Sequence, residues 1–456
     1  MQASMTYDLA IRGGTLVGPG GQRAADVYVA EGRIAAVGTD KMPAAVEVDA
    51  AGLLVMPGMI DAHVHLMDPG DPTREDFPTG TAAAAKAGVT TVIEHTHASP
   101  VLTVADLEAK VEHLATRSRI DYALAAHVMP GELDEIGALH QAGVAFLKAF
   151  TCTTHGLIGF SPAQLRDLLV AVAETSAVCL VHCEDESLIE AAAARLRQAK
   201  RDDGGVIPEW RNLEAELVAV GYTTLLARTT GARVVIAHVS NPDAVEMIAD
   251  ERRRGADVLA ESCPQYLQMF EDDVLTHGAF RKFTPPARAR TRGDLEAMWQ
   301  AVRDGAIALL SSDHAPATRQ QKTSGSIWDV HFGLPGIDTT FAVLLTAAAA
   351  GRVSYERIVE AYSATPAAIY GLGHRKGRID PGMDADLVLV DPECRWTMTA
   401  DTVLSRAEWS PYEGMAMSGA VVRAYCRGVL ISENGNVLAA PGDGEFVPAV
   451  HEREQA

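Results

Sequence analysis

The chain has 456 residues, and 48% of them are hydrophobic, which is enough for a large core and for more than one domain. Asp and Glu number 60 against 39 Lys and Arg, so the formal net charge is −21. This acidity argues against nucleic acid and membranes as partners. No stretch has the form of a signal peptide or the length of an apolar membrane span, and we expect a cytoplasmic protein.

Both ends of the chain predict short β-strands joined by tight turns. Apolar runs alternate with Gly and Pro in "YDLAIRGGTLVGPGG" and "ADVYVAEGRIAAVG" near the start, and in "GRIDPGMDADLVLVD" and "SGAVVRAYCRGVLISENGNV" near the end. We expect the two ends to form one small β domain from residues 1–55 and 376–456, the latter including a C-terminal tail.

The segment between them, residues 56–375, alternates apolar runs with helix-like runs. Eight apolar runs are typical of buried parallel strands, which predicts a (β/α)8 TIM barrel, and an open doubly wound sheet is the alternative. No GxGxxG follows the first run, so a dinucleotide site is not supported. The runs are "LLVMPGMIDAHVHL", "GVTTVIEHTH", "DYALAAHVM", "GVAFLKAF", "AVCLVHCED", "RVVIAHVS", "DVLAESCP" and "AIALLSSDH".

Several of these predicted strands end in residues that bind metals. Barrel active sites lie at the C-terminal ends of the strands, so these side chains should converge. They are His63 and His65 on the first strand, Lys148 on the fourth, His182 on the fifth, His238 on the sixth and Asp313 on the eighth.

The types of these side chains predict a centre with two divalent metal ions. Imidazole and carboxylate suit zinc and similar ions, and four histidines with one aspartate exceed the needs of one tetrahedral catalytic ion. His63 and His65 alternate along a strand and point the same way. A charged Lys148 would be unfavourable there, so it is either neutral or carries CO2 as a carbamate. Singly, each residue also has a structural explanation, such as a helix cap for Asp313.

Other histidines and the cysteines are weaker candidates. His95 and His97 in "EHTHASP" would support a ligand, contact the substrate or be structural, and three others lie near predicted loop ends (His155, His314, His331). His113, His140 and His277 are expected at the surface. The six cysteines form no CxxC pair and are expected to be reduced.

Taken together, these motifs resemble the amidohydrolase superfamily, and within it the cyclic amidohydrolases: allantoinase, dihydropyrimidinase or hydantoinase, and dihydroorotase. The resemblance covers nearly the whole chain and is closest to the allantoinase pattern. It rests on "YDLAIRGGTLV", "PGMIDAHVHL", "EDFPTGTAAAAKAGVTTVIE", "FLKAF", "LVHCED", "IAHVSNPDAVEMI", "ESCPQYL", "FTPPAR", "SSDHAP", "KGRIDPGMDADLVLVD" and "SPYEG".

The resemblance implies a barrel with a small β-sandwich built from both termini, and a hydrolase that opens the ring amide of a cyclic ureide or imide. His63 and His65 would bind the more buried ion, and His182 and His238 the more exposed one. N6-carboxylated Lys148 would bridge the two ions, which are usually zinc. Asp313 would bind metal and carry the proton. Relatives are mostly homo-oligomers, dimers or tetramers.

The sequence also departs from the family at positions that contact the substrate. Met67 stands where dihydroorotases have an arginine, and Thr153 where dihydropyrimidinases have a tyrosine. Phe332 replaces an asparagine before the "GLPG" loop. Substrate contacts are expected from Thr153, Thr284, Phe332, Gly333 and His97.

Three alternative functions stay open at this point. A lactonase would keep both ions and cleave another bond. A non-catalytic dihydropyrimidinase-related scaffold protein would lack some of the six residues, and none is missing here. A deaminase with one metal ion would lack Lys148.

Overall fold

The computed structural model describes residues 6–451, and the β-strands near both ends of this range form two sheets. One has the order β5-β4-β1-β6 and the other the order β20-β19-β18-β17-β7-β2-β3. Apolar side chains of both, such as Leu9 and Leu389, share one core, as in a β-sandwich. The strands are β1 Tyr7–Arg12, β2 Thr15–Gly18, β3 Gly21–Ala24, β4 Asp26–Ala30, β5 Arg33–Gly38, β6 Ala44–Asp49, β7 Leu54–Pro57, β17 Leu387–Thr397, β18 Ala416–Cys426, β19 Val429–Glu433 and β20 Asn436–Val437.

The strands between β7 and β17 are parallel and form a barrel of eight strand positions, one of which is divided into β10 and β11. The backbone closes the barrel where the amide of His65 donates to the carbonyl of His314 at 2.7 Å. The strands are β8 Met59–Val64, β9 Val89–Glu94, β10 Asp121–Leu124, β11 Ala126–His127, β12 Leu147–Phe150, β13 Val178–His182, β14 Arg233–Ile236, β15 Val258–Ser262 and β16 Ile307–Leu310.

Helices follow the barrel strands and cover the outside of the barrel. Their ends follow local sequence rules: Asp76 caps α1 at its start, and Gly88 ends it in the left-handed conformation. The helices are α1 Phe77–Ala87, α2 Val104–Leu114, α3 Ile136–Gln141, α4 Pro162–Thr175, α5 Glu186–Gln198, α6 Val206–Trp210, α7 Leu213–Thr230, α8 Pro242–Arg253, α9 Pro264–Gln268, α10 Asp273–His277, α11 Arg292–Arg303, α12 Arg319–Thr323, α13 Thr340–Ala349, α14 Tyr355–Val359 and α15 Thr365–Ile369, with 3-10 turns at Gly278–Arg281 and Ala400–Thr402 and a π turn at Glu360–Ala364.

The last described residues seal the N-terminal end of the barrel. The amide of Val447 donates to the carbonyl of Tyr122 at 2.8 Å, and that of Tyr122 to the carbonyl of Glu445 at 3.0 Å. Val447 is fully buried and packs with Tyr370 against the inward side chains of the strands. The barrel is therefore closed at this end, and an active site is expected at the opposite end, where the strands have their C-termini.

The predicted fold class, a TIM barrel with a β-sandwich from both termini, is confirmed. One detail differs: the first apolar run contains two strands, because Gly58 separates β7 in the sandwich from β8 in the barrel. The bounds 1–55, 56–375 and 376–456 stay a prediction, and residues 1–5 and 452–456 lie outside the described part. No helix in residues 6–451 combines the length and apolar character needed to cross a membrane.

Candidate active site

Strand alternation places a ring of polar side chains at the C-terminal end of the barrel interior. Phe146, just before β12, lies in the apolar interior, and Lys148, two residues later on β12, points the same way. The same spacing joins Leu180 to His182 on β13, and Ile93 to His95 after β9. The ring therefore follows from the regular geometry of parallel strands.

His63, His65 and Asp313 form one side of this ring. Nε2 of His63 lies 3.3 Å from Oδ1 of Asp313, and Nε2 of His65 lies 3.6 Å from the same oxygen. Two ligands of one tetrahedral ion, each bound at about 2.1 Å, stand about 3.4 Å apart. The three side chains thus have the spacing of ligands around one ion.

His182 and His238 form the other side. Nδ1 of His182 lies 3.0 Å from Nε2 of His238, again close to the spacing of two ligands of one ion. Nε2 of His182 lies 2.7 Å from Oε2 of Glu184, which also accepts from Thr284 at 2.6 Å and from Arg211 at 3.1 Å. These donors fix the Glu184 carboxylate, which in turn fixes the His182 ring.

Lys148 lies between the two sides with its amine unsatisfied. The residue is 1% exposed, and Nζ has no hydrogen-bond partner within the described part of the chain. Burial lowers the pKa of Lys148 to about 8, although the Glu261 and Asp313 carboxyls oppose the shift. The lowered pKa increases the fraction of neutral, nucleophilic amine near neutral pH.

The protonation of the surrounding groups also suits metal binding. Burial, with a smaller effect of Lys148, lowers the pKa values of His63, His65 and His238 well below the usual value. The rings are therefore neutral, which is the form that binds metals. Burial raises the pKa of Asp313 to about 7, despite the opposing effect of Lys148. The donor set fits divalent cations, and cation binding would offset the cost of burying these groups.

Two of these residues have unusual backbone conformations. His238 has a φ of 37° and Asp313 a φ of 48°, in the left-handed region that residues other than glycine rarely adopt. Such strain is found at functional sites, where the surrounding structure maintains it.

The ring opens into a small cavity of about 30 Å³. Of the five expected substrate contacts, the structure brings four to this cavity: Thr284, Phe332, Gly333 and His97. Thr153 is exposed and is not among the lining residues. All six predicted metal ligands line the cavity, together with Phe150, His155 and Ala315.

The other histidines fall into distinct groups. The ring centre of His95 lies 4.5 Å from those of both His63 and His65, and neither of its nitrogens has a partner in the described residues.

His314 is buried, and its Nδ1 accepts from two backbone amides, so it is structural. His277 and His331 are exposed. His113, also exposed, pairs with Asp68, whereas His140 is half-buried rather than at the surface.

The sequence reasoning missed three polar residues of the site: His127, Glu184 and Glu261. His127 follows Ala123 and Ala125 on the inward face, and Glu261 follows Leu259 in the same way. Continuing the alternation to the end of each strand would have found both. Glu184 lies just beyond β13, where no strand pattern applies.

Two other groups of potential ligands are already satisfied by cations. Cys152, His182 and Glu184 lie together, but Arg211 pairs with this carboxylate. In the second group, Asp121, Asp386 and Cys426 surround Lys376 and Arg427, which form ion pairs with the aspartates.

The chain and its fold match known proteins over nearly their whole length. The model of the amidohydrolase family matches residues 54–431. An allantoinase of Rubrobacter xylanophilus is 37% identical, over 98% of this chain and 99% of its own. An L-hydantoinase of Paenarthrobacter aurescens is 33% identical, over 97% and 98%. The solved L-hydantoinase (dihydropyrimidinase) from Arthrobacter aurescens superposes with a TM-score of 0.93 at 32% identity, covering 97% of this chain and all of that one.

A barrel with this polar ring and these matches defines a class of hydrolases. The chain belongs to the amidohydrolase family. The predicted enzyme class, a hydrolase of the cyclic amidohydrolases, is confirmed by relatives of that class.

Proposed function

We propose that the protein is a binuclear metal-dependent cyclic amidohydrolase that hydrolyses a ring amide C–N bond. The observation that supports this most directly is Lys148, whose buried amine has no hydrogen-bond partner among residues 6–451 and lies between two pairs of neutral histidines. An unmodified amine would have no bonding partner there, whereas its carbamate would offer oxygen ligands to two cations.

In this proposal His63 and His65 would hold the more buried ion, His182 and His238 the more exposed one, and carboxylated Lys148 both. Asp313 lies within reach of the first pair. Zn²⁺ is the expected metal, because the donors are nitrogen and oxygen and the spacings suit four ligands. When bound, the two ions would provide hydroxide near neutral pH and polarise the ring carbonyl.

Asp313 carries the proton during the reaction. Its carboxylate accepts a proton from the attacking water and delivers it to the ring nitrogen as the C–N bond breaks, so that a base becomes an acid. Thr284, Phe332, Gly333 and His97 line the cavity that would hold the ring.

The substrate is a small cyclic ureide or imide related to allantoin, hydantoin or dihydropyrimidine, the rings of the named relatives. The test is a screen of these rings, with imides and lactones, against protein loaded with Zn²⁺, together with metal analysis. We expect about two ions per chain and ring opening of an amide. Full activity without metal, or opening of lactones alone, would contradict the proposal.

We also propose that residues 1–55 and 376–456 form one domain and residues 56–375 another, and that the protein is a cytoplasmic homo-oligomer, a dimer or tetramer. Light scattering of the purified protein measures the oligomeric state directly, and a monomer would contradict that part.

A further inference from the structure

Three buried cations without carboxylate partners lie around Phe332, a residue that lines the cavity: Arg74, Lys282 and Lys322. They are between 1% and 5% exposed, and no ion pair of theirs occurs among residues 6–451. Their donors bind backbone carbonyls instead. Lys282 donates to Trp328 and Val330, Lys322 to His331 and Lys282, and Arg74 to Pro316 and Phe332.

Most buried cations elsewhere in the barrel have carboxylate partners. Lys376 pairs with three aspartates, Lys110 with Glu94, and Arg288 with Glu216. The three cations around Phe332 are therefore an exception in a chain whose formal net charge is −21. Leaving a buried charge unpaired is costly, and a bound anion would offset that cost.

Two of these cations, Lys282 and Arg74, contact Phe332, which lines the cavity. Nζ of Lys282 lies 4.4 Å from the centre of the Phe332 ring, and Nη2 of Arg74 donates to the Phe332 carbonyl at 3.4 Å. Burial lowers the pKa of Lys282 to about 8 and that of Arg74 to about 10, so both carry charge at pH 7. Burial also lowers the pKa of Lys322, well below the usual value. We therefore assign Lys322 only a structural role, through its hydrogen bonds to backbone carbonyls.

Two imidazoles also face this part of the cavity. The rings of His97 and His155 stack with centres 4.2 Å apart, and both line the cavity. Nδ1 of His97 is buried and has no partner within the described part of the chain. The centre of His97 lies 5.1 Å from that of His65, so a group bound by His97 would sit close to a ring held by the metal ligands.

We propose that the substrate ring carries a short anionic substituent, a carboxylate, which His97 and His155 bind by hydrogen bonds in the positive field of Arg74 and Lys282. This inference rests on the proposed function. It names one class among the cyclic amides: rings with a carboxylate arm, rather than neutral or apolar substituents.

The test compares hydantoin-5-acetic acid with its neutral amide, hydantoin-5-acetamide, which has nearly the same shape. Because a hydrogen bond to a charged group contributes about ten- to 100-fold in binding, we expect kcat/KM to favour the acid by at least about tenfold. His97→Leu should reduce this ratio toward one, and His97→Asn, which retains an N–H donor, should restore part of it. Arg74→Met should also reduce the ratio.

His277→Leu is the matched control, because His277 is exposed and lies outside the cavity. It should leave the acid-to-amide ratio unchanged. A merely structural role of His97 would change both substrates equally and leave the ratio intact, which would overturn the proposal. Equal rates for the acid and the amide in the unaltered enzyme would also overturn it.

Calorimetry with the same two compounds separates this inference from the proposed function. If neither ring is opened by protein that contains two metal ions, the proposed reaction on this ring fails. Binding is then still decisive: tighter binding of the acid that is lost in His97→Leu supports the anion site, and equal or undetectable binding of both compounds overturns it.

Discussion

Oε1 of Glu261 lies 2.6 Å from Nδ1 of His63, and both side chains are almost fully buried. The same oxygen accepts a hydrogen bond from the Ser311 hydroxyl at 2.9 Å. Glu261 therefore fixes which way the His63 ring faces and leaves Nε2 directed toward Asp313.

Glu261→Gln should weaken metal binding by about 10- to 100-fold, because a carboxylate that orients a ligating histidine also raises its basicity. Titration of metal-free protein with Zn²⁺ measures the effect. Glu190→Gln, at an exposed position on α5, is the control and should bind as the unaltered protein does. Unchanged affinity in Glu261→Gln would show that His63 does not depend on this carboxylate.

Lys148→Ala should lose activity on the order of 100-fold or more, since the bridge between the two ions is removed. Short carboxylic acids such as acetate or propionate should restore part of the activity by occupying the space of the carbamate. Lys200→Ala changes an exposed lysine and should have no effect. A Lys148→Ala protein with two tightly bound ions and normal turnover would exclude the carbamate.

Asp313→Asn should lower kcat by about 10²- to 10⁴-fold, the usual contribution of a general acid–base group. Steady-state kinetics on the ring found in the screen measures this, and metal analysis shows whether both ions remain. Asp167→Asn, on the outer face of α4, is the matched control. Near-normal kcat in Asp313→Asn would assign the proton transfer to another group.

Asp68 links the loop after β8 to α2 and makes the free energy of unfolding depend on pH. Burial raises its pKa, but hydrogen bonds from His113, the Phe77 amide and Arg117 outweigh burial and lower the pKa below the usual value. The ionised form therefore stabilises the fold above the unfolded pKa of about 3.9, and this contribution is lost as the pH falls from there through the folded pKa.

Asp68→Asn should reduce the free energy of unfolding at pH 7 by about 1–3 kcal/mol, the cost of breaking a buried charged hydrogen-bond group. The difference from the unaltered protein should shrink as the pH falls below about 4. Denaturant unfolding at several pH values measures both effects. Asp401→Asn, at an exposed position, should behave as the unaltered protein does at every pH.

The fold and most of the site could be predicted because both depend on strand alternation. Each inward residue of a barrel strand is two positions from the next, so Lys148 and His182 are visible as polar ends of apolar runs. Thr153 was expected at the cavity from its distance to Lys148, yet it lies on an irregular loop whose path no short pattern specifies. The unpaired cations around Phe332 come from separate loops after three strands, so only the folded chain brings them together.

The segment around Val447 closes the N-terminal end of the barrel, here called its floor, and this affects how the protein folds during synthesis. Val447 completes the interior packing that begins with Ile60 on the first barrel strand, and almost the whole barrel lies between them in the chain. During translation the floor stays open until residue 447 has left the ribosome. The apolar floor residues are exposed until then, so ribosome-bound chains that stop before Phe446 should bind chaperones, and completed chains should release them.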